Sequence, residues 1–286
     1  MKNIRLQLFF SFLLCTCFLY AQQAKYIFFF IGDGMGINQI QMTELYSAEF
    51  QGNIGVAPLL FTQFPIATIA TTYSATNGVT DSAASGTALA TGVKTRNGCI
   101  GVMKDKITHL KSIAVRAREA GCKVGVASSV AINHATPAAF YAHNENRKNY
   151  NAIGHDLVTA GFDFYAGADF WSVTPQDSIG LYNLAYNNGY TITRGYKEFQ
   201  KKARTSDKMI LFQRNAVSKI DSRTIPYAID RQKTDLTLSE ITRAGINILT
   251  KDPEKGFFFI IEGGSIDWAC HSNDAATVIH EVQDLD

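Results

Sequence analysis

This 286-residue sequence is poor in cysteine, with five in all, and two of these, Cys15 and Cys17, fall in an apolar stretch near the N-terminus. The other three, Cys99, Cys122 and Cys270, cannot all pair, and their spacing fits no zinc cassette. At most one disulfide forms, and a thiol stays free. Long apolar runs are missing too. The longest, Leu6–Tyr20, is shorter than the roughly 20 residues of a bilayer-spanning helix, so no membrane span is expected. Neither sign of charge is in excess: without residues 1–21, which hold Lys2 and Arg5, 25 basic and 25 acidic residues remain. Nucleic acid and anionic membrane are thereby excluded as main partners, because binding to either rests on net positive charge. No internal repeat, low-complexity tract or linker divides the chain.

Lys2 and Arg5, the apolar run and Ala21 together read as a secretory signal peptide over residues 1–21. Thr16 and Cys15 ahead of Cys17 fit a lipoprotein signal poorly. The protein is therefore expected in the periplasm or secreted. Residues 22–286, drawn from a chain that is 46% apolar, suffice for one domain with one large core.

Apolar runs alternate with amphipathic ones, the pattern of an α/β protein. Strands are predicted at Lys25–Ile31, Pro65–Tyr73, Lys123–Ser128, Phe162–Ala166, Tyr190–Thr193, Met209–Phe212 and Phe257–Ile261. Several read as near-continuous apolar segments, as in a sheet covered on both faces. Helices are predicted around Asn38–Ser47, Ile113–Ala120, Leu181–Asn188, Gly195–Arg204 and Thr237–Leu249, with another ending at Leu157–Ala160. The final segment, Asp274–Asp286, places Val278, Val282 and Leu285 on one helical stripe and has no stop signal.

Four motifs carry candidate chemistry. Asp33 lies in GDGMG at the end of an apolar strand, flanked by glycines that allow close approach; taken alone it reads equally as a turn aspartate capping the next helix. Ser82, in TDSAASGTALATGVKT, stands at a helix start, where it reads as a cap or as a nucleophile beside backbone N–H groups that attract an anion. No histidine lies in the motif to serve as its base, so a nucleophilic Ser82 calls for a metal ion. The segment SSVAINHATPAAFYAHNENRKNY supplies His134, Thr136 and Arg147, and the planar fork of Arg147 suits two phosphate oxygens. In FFFIIEGGSIDWACH, Glu262 ends an apolar strand, where a carboxylate needs a cation or hydrogen bonds. Asp267 and His271 stand four apart on one helical turn, a spacing and a donor pair that suit zinc.

Together these motifs resemble the alkaline phosphatase family, from about Lys25 to Asp286, most densely over Val79–Lys94. The resemblance implies a three-layer α/β sandwich around a large, mixed but mostly parallel sheet. It also implies hydrolysis of phosphate monoesters through a phosphoserine at Ser82, with Arg147 holding phosphate. Asp33 would bridge a zinc and the magnesium, Thr136 and Glu262 would complete the magnesium site, and Asp267 and His271 would bind zinc. His134 is placed beside the magnesium. Trp268 stands where some members carry lysine or histidine near phosphate, and tryptophan neither carries charge nor accepts a proton. His134 with Trp268 resembles the subgroup that includes cold-adapted marine bacterial enzymes.

The family completes its two zinc sites with an aspartate–histidine pair and a distant histidine, none of which matches a residue here. Residues 22–286 are accordingly expected to be a C-terminally incomplete catalytic domain of a longer protein, inactive as it stands unless His280 or Asp284 completes the zinc sites. A homodimer is the expected assembly of the full-length form. The rival readings are a non-catalytic metal- or phosphate-binding remnant and a related phosphodiesterase or sulfatase. A sulfatase should show a C/S-x-P-x-R motif, whereas Ser82 is followed by AAS.

Overall fold

The computed structural model describes residues 24–171, 174–214 and 223–286. The leader read over residues 1–21 lies outside the described residues. Six strands, β1 (Tyr26–Gly32), β2 (Lys123–Ser128), β3 (Phe164–Gly167), β4 (Thr191–Arg194), β5 (Met209–Phe212) and β6 (Phe257–Gly263), form one sheet in the order β1-β6-β2-β3-β5-β4. All five pairings are parallel, so the carboxyl ends of the strands share one edge of the sheet.

Helices pack on both faces, because alternate strand residues point to opposite sides. The helices in chain order are α1 (Ile37–Phe50), α2 (Ser82–Thr91), α3 (Ile113–Glu119), α4 (Ala135–Ala138), α5 (Tyr150–Ala160), α6 (Pro175–Asn187), α7 (Tyr196–Lys202), α8 (Leu238–Leu249), α9 (Ser265–His271) and α10 (Ala275–Leu285). On one face Val124, Val126, Phe258, Ile260 and Tyr165 pack with Ala83 of α2, Leu157 of α5 and Leu181 of α6. On the other, Ala127, Phe164, Phe259, Ile261 and Leu211 pack with Ile241 and Ile248 of α8 and Phe199 of α7. The result is the three-layer sandwich expected from the sequence.

The best-marked helix in the sequence, α8, shows why such segments are legible. The Thr237 hydroxyl accepts from Glu240 N at 3.0 Å while the Glu240 carboxylate accepts from Thr237 N at 3.3 Å, closing a capping box. Its apolar stripe then sits over the central strands. The predicted strand Pro65–Tyr73 does not form. Its residues have no strand assignment, pair with no described strand, and leave Ile66 and Ile69 85% and 91% exposed. Alternation of apolar residues makes a strand only where a sheet edge and a packed face receive it.

Candidate active site

The strand register assembles the site. Glu262 of β6 lies opposite Ser128 of β2 on one side and Ile31 of β1 on the other, so the ends of these three strands bring Asp33, Ser128 and Glu262 to one rim. Ligands of open parallel sheets characteristically bind at this rim. Asp33 N donates to Gly263 O at 3.3 Å. Gly34 takes φ +65°, and a Cβ there would lie 2.7 Å from Asp267 Oδ1, so glycine is what lets α9 bring its carboxylate against the β1 turn.

Ser82 is the first residue of α2, and Asp81 is the N-cap, accepting from Ala84 N at 3.0 Å. The cap aspartate also reaches across the site. Its Oδ2 accepts from Gly98 N at 2.9 Å and from Arg147 Nη1 at 3.0 Å. The Ser82 hydroxyl donates to Asp33 Oδ2 at 3.0 Å, and the Thr136 hydroxyl donates to the same oxygen at 3.3 Å. Glu262 Oε2 accepts from the Ser128 hydroxyl, while Oε1 is buried without a hydrogen-bond partner. Arg147 Nη2 meets His134 Nε2 at 3.1 Å, and the His134 ring lies parallel to Trp171 and edge-on to Trp268.

The carboxylates repel one another at this largely buried rim. Burial, then the neighbouring Asp267, pushes Asp33 well above the usual carboxylate range, against the opposing pull of Ser82, Arg147 and Thr136. Burial, then Asp33, does the same to Glu262. Burial and the adjacent Arg147 hold His134 down at about 3, so its ring is neutral and Nε2 is free to accept from the guanidinium. An orphaned buried carboxylate oxygen and two carboxyls pushed upward by burial and mutual repulsion are what a hard divalent cation would relieve. Asp33, Thr136 and Glu262 supply the oxygen donors that magnesium takes.

The zinc pair is less complete. Asp267 Oδ2 and His271 Nε2 stand 3.5 Å apart, with the His271 side chain 80% exposed. Among the described residues no group of three His, Cys, Asp or Glu side chains is arranged to hold a metal ion. The two substitute ligands named from the sequence lie elsewhere. His280 packs edge-on against Tyr46, and both oxygens of Asp284 accept from Arg231, at 2.8 and 3.0 Å.

All nine site residues named from the sequence, Asp33, Ser82, His134, Thr136, Arg147, Glu262, Asp267, Trp268 and His271, are linked at this rim by contact or by charge. The sequence reading missed Asp81 as the anchor of Arg147, Ser128 as the partner of Glu262, and the surround of Tyr150, Trp171 and Arg223. Asp81 stood in the serine motif and was readable as a cap only. Its link to Arg147 spans 66 residues, and no local spacing signals it.

Fold and site together define an α/β protein with a serine at a helix N-terminus, an arginine and a carboxylate cluster at the carboxyl ends of parallel strands. The alkaline phosphatase sequence profile matches residues 24–161 and 187–286. The chain belongs to the alkaline phosphatase family. It is 36% identical over 216 residues to alkaline phosphatase 4 of Bacillus subtilis (strain 168), covering 73% of this chain and 44% of that protein. Alkaline phosphatase 3 of the same organism is 31% identical over 272 residues, covering 92% and 56%. Among solved structures, alkaline phosphatase from the Antarctic bacterium TAB5 matches with TM-score 0.77 and 32% identity, over 92% of this chain and 72% of that one. That of Thermus thermophilus matches with TM-score 0.79 and 29% identity, over 93% and 55%. A variant of the Antarctic enzyme, with a histidine replaced by glutamate, carries bound magnesium. The chain spans about half the length of the curated relatives it matches.

Proposed function

We propose that the protein hydrolyses phosphate monoesters through a phosphoserine formed on Ser82. The observation that carries this reading is the Ser82 hydroxyl at the start of α2, 3.0 Å from Asp33 Oδ2, with Arg147 fixed beside it on Asp81. Ser82 Oγ attacks phosphorus in line with the leaving oxygen, its P–O bond forming as the ester P–O bond breaks and the alcohol departs. Water then attacks the phosphoserine and returns the serine with inorganic phosphate. Arg147 and the N–H groups opening α2 hold the equatorial oxygens, where negative charge is spread in the transition state. Asp33, Thr136 and Glu262 would hold magnesium, and Asp33, Asp267 and His271 would contribute to zinc binding. Bound there, such ions supply positive charge that acidifies the serine hydroxyl and the attacking water. Neutral His134 orients Arg147 without repelling it.

Trapping with labelled phosphate tests the assignment. Label is expected on the Ser82 peptide of the full-length protein and is expected to be absent from its Ser82→Ala variant. Label persisting at another residue in that variant would sink it.

One observation favours a second reading, a metal- or phosphate-binding protein without turnover: the exposed, two-ligand Asp267–His271 arrangement. Metal counting alongside an assay of a chromogenic monoester separates the two. Bound zinc and magnesium without turnover would favour the second.

The leader features of residues 1–21 support export to the periplasm or beyond. An N-terminus at residue 22 in protein recovered from those fractions tests this. Recovery of the chain from the cytoplasm with residues 1–21 intact would refute it.

A further inference from the structure

Two adjacent serines, Ser128 at the end of β2 and Ser129 just after it, hold the end of β6 at three points. Both are buried, as is Glu262. The Ser128 hydroxyl donates to Glu262 Oε2. Ser129 N donates to Glu262 O at 3.0 Å, and Ser129 Oγ accepts at 3.0 Å from N of Ser265, the first residue of α9. Side chain, backbone and following helix are thus tied to one dipeptide. The turn between strand and helix leaves no slack: a Cβ on Gly264 would lie 2.9 Å from Val130 Cγ2 and 3.1 Å from Glu262 Cδ.

The direction of the Ser128 proton is settled by its other bond. Val130 N donates to Ser128 Oγ at 3.0 Å, so the hydroxyl is an acceptor there and gives its single proton to Glu262. Val130 is anchored in turn, its carbonyl accepting from Ala168 N at 3.1 Å and its backbone bridging Thr224. Were the Ser128 side chain to rotate away from the carboxylate, it would leave a buried N–H unpaired. Glu262 Oε2 is therefore committed to the β2 side, while Oε1 is buried and has no hydrogen-bond partner. One oxygen of the carboxylate is occupied and the other is open. A cation arriving at this rim meets a carboxylate that offers a single oxygen.

Resting on the reading of Asp33, Thr136 and Glu262 as magnesium ligands, we propose that Ser128 makes this site select magnesium over calcium. Magnesium demands near-ideal octahedral geometry and suits carboxylates that bind through one oxygen, whereas calcium takes more oxygens and accepts both from one carboxylate. A two-oxygen grip by Glu262 needs Oε2 to leave the β2 side and face the same ion as Oε1. The serine hydroxyl holds it back. Ser128 acts through Glu262, as a positioning residue that sets how the ligand is presented.

The test titrates magnesium and calcium separately into the metal-free full-length protein by calorimetry and reads the ratio of the two association constants, magnesium over calcium. In Ser128→Ala the ratio is expected to fall about tenfold, the scale on which partners of metal-binding carboxylates act. Ser128→Cys, close in volume and only a weak donor, is expected to follow alanine and carries the test if the alanine variant does not fold. Ser129→Ala removes a buried bond to Ser265 and leaves the Glu262 side chain held, so its ratio is expected to stay at the wild-type value. A ratio unmoved in the Ser128 variants, or one that falls as far in Ser129→Ala, overturns the selectivity role. Glu262→Gln reports separately on the magnesium reading. Wild-type protein that binds no magnesium, or magnesium affinity unchanged in Glu262→Gln, would overturn that reading and the role of Ser128 with it.

Discussion

Asp81 and Arg147, 66 residues apart, are joined at 3.0 Å, so the residue that caps the helix starting at Ser82 also aims the guanidinium proposed to hold phosphate. Both side chains are about three-quarters buried. Truncation at this position therefore breaks two functions that a conservative change separates. Asp81→Ala loses the cap, worth roughly 1 kcal/mol of stability, and frees the guanidinium. Asp81→Asn keeps an oxygen for Ala84 N and loses the charge. The asparagine variant also loses the acceptor for Gly98 N, so it is expected to be destabilised by about 1 kcal/mol and to show a several-fold higher KM and weaker phosphate inhibition. An unchanged phosphate inhibition constant would show that Arg147 needs no anchor.

Metal binding should release protons. Burial and mutual repulsion hold Asp33 and Glu262 above the usual carboxylate range, so the metal-free protein keeps protons there that an incoming cation must displace. Magnesium affinity is expected to rise between about pH 5 and about pH 9, with proton uptake by the buffer visible in calorimetry run in buffers of different ionisation heat. Glu262→Gln is expected to remove part of that release and to weaken magnesium binding by about tenfold or more. Affinity that does not change with pH would contradict protonated carboxyls at this site.

Much of the site was legible because its residues sit in compact motifs at strand and helix ends. Glu262 is marked by a charged side chain closing the run FFFII, and Ser82 by its place before small residues at a helix start. Arg147 was readable only through resemblance, since its sequence surroundings, NENRKNY, are those of a solvated loop. Trp171 and Arg223 were illegible. What places them beside His134 is the grip of Asn133 on the Trp171 backbone and the bridge between Val130 and Thr224, contacts between segments far apart in the chain. The predicted strand at Pro65–Tyr73 failed for the same cause in reverse: a local pattern without a sheet edge to receive it.

Glu281 on α10 offers a pH test away from the site. It is buried, accepts from Ala228 N at 2.7 Å, and burial pushes its carboxyl up to about 7. Arg231 opposes this shift and Asp284 adds to it. A folded-state pKa above the unfolded value of 4.5 means that the folded chain holds the extra proton. This contribution to stability is full below the unfolded pKa and is lost as pH rises through the folded one. Glu281→Gln has no proton to lose and keeps an acceptor for Ala228 N. Its stability relative to wild type is expected to improve by up to about 3 kcal/mol between pH 5 and pH 8, read from urea midpoints. Parallel stability profiles for the two proteins would show that Glu281 does not titrate in this window.

Glycine-to-alanine changes at two helical positions should have opposite signs. Gly180 in α6 is exposed, and a Cβ there would meet nothing within 4 Å. Gly180→Ala is expected to stabilise the protein by about 0.5–1 kcal/mol, because alanine loses less backbone entropy in a helix. Gly245 in α8 faces the sheet, where a Cβ would overlap the Phe259 ring at Cζ and Cε1. That ring has little room to retreat. It is fully buried, Phe164 packs edge-on against it at 6.0 Å, and its other side closes on Gly125 of β2. Gly245→Ala is therefore expected to cost about 1–3 kcal/mol despite the same gain in helix propensity. Phe259 lies three residues before Glu262 on the same strand, so a shift of the ring is transmitted toward the carboxylate rim. Denaturant midpoints of both variants, measured with magnesium affinity, test the argument. A Gly245→Ala protein as stable as Gly180→Ala would mean that α8 moves freely over β6 and that the close approach of helix to sheet does not hold the rim in place.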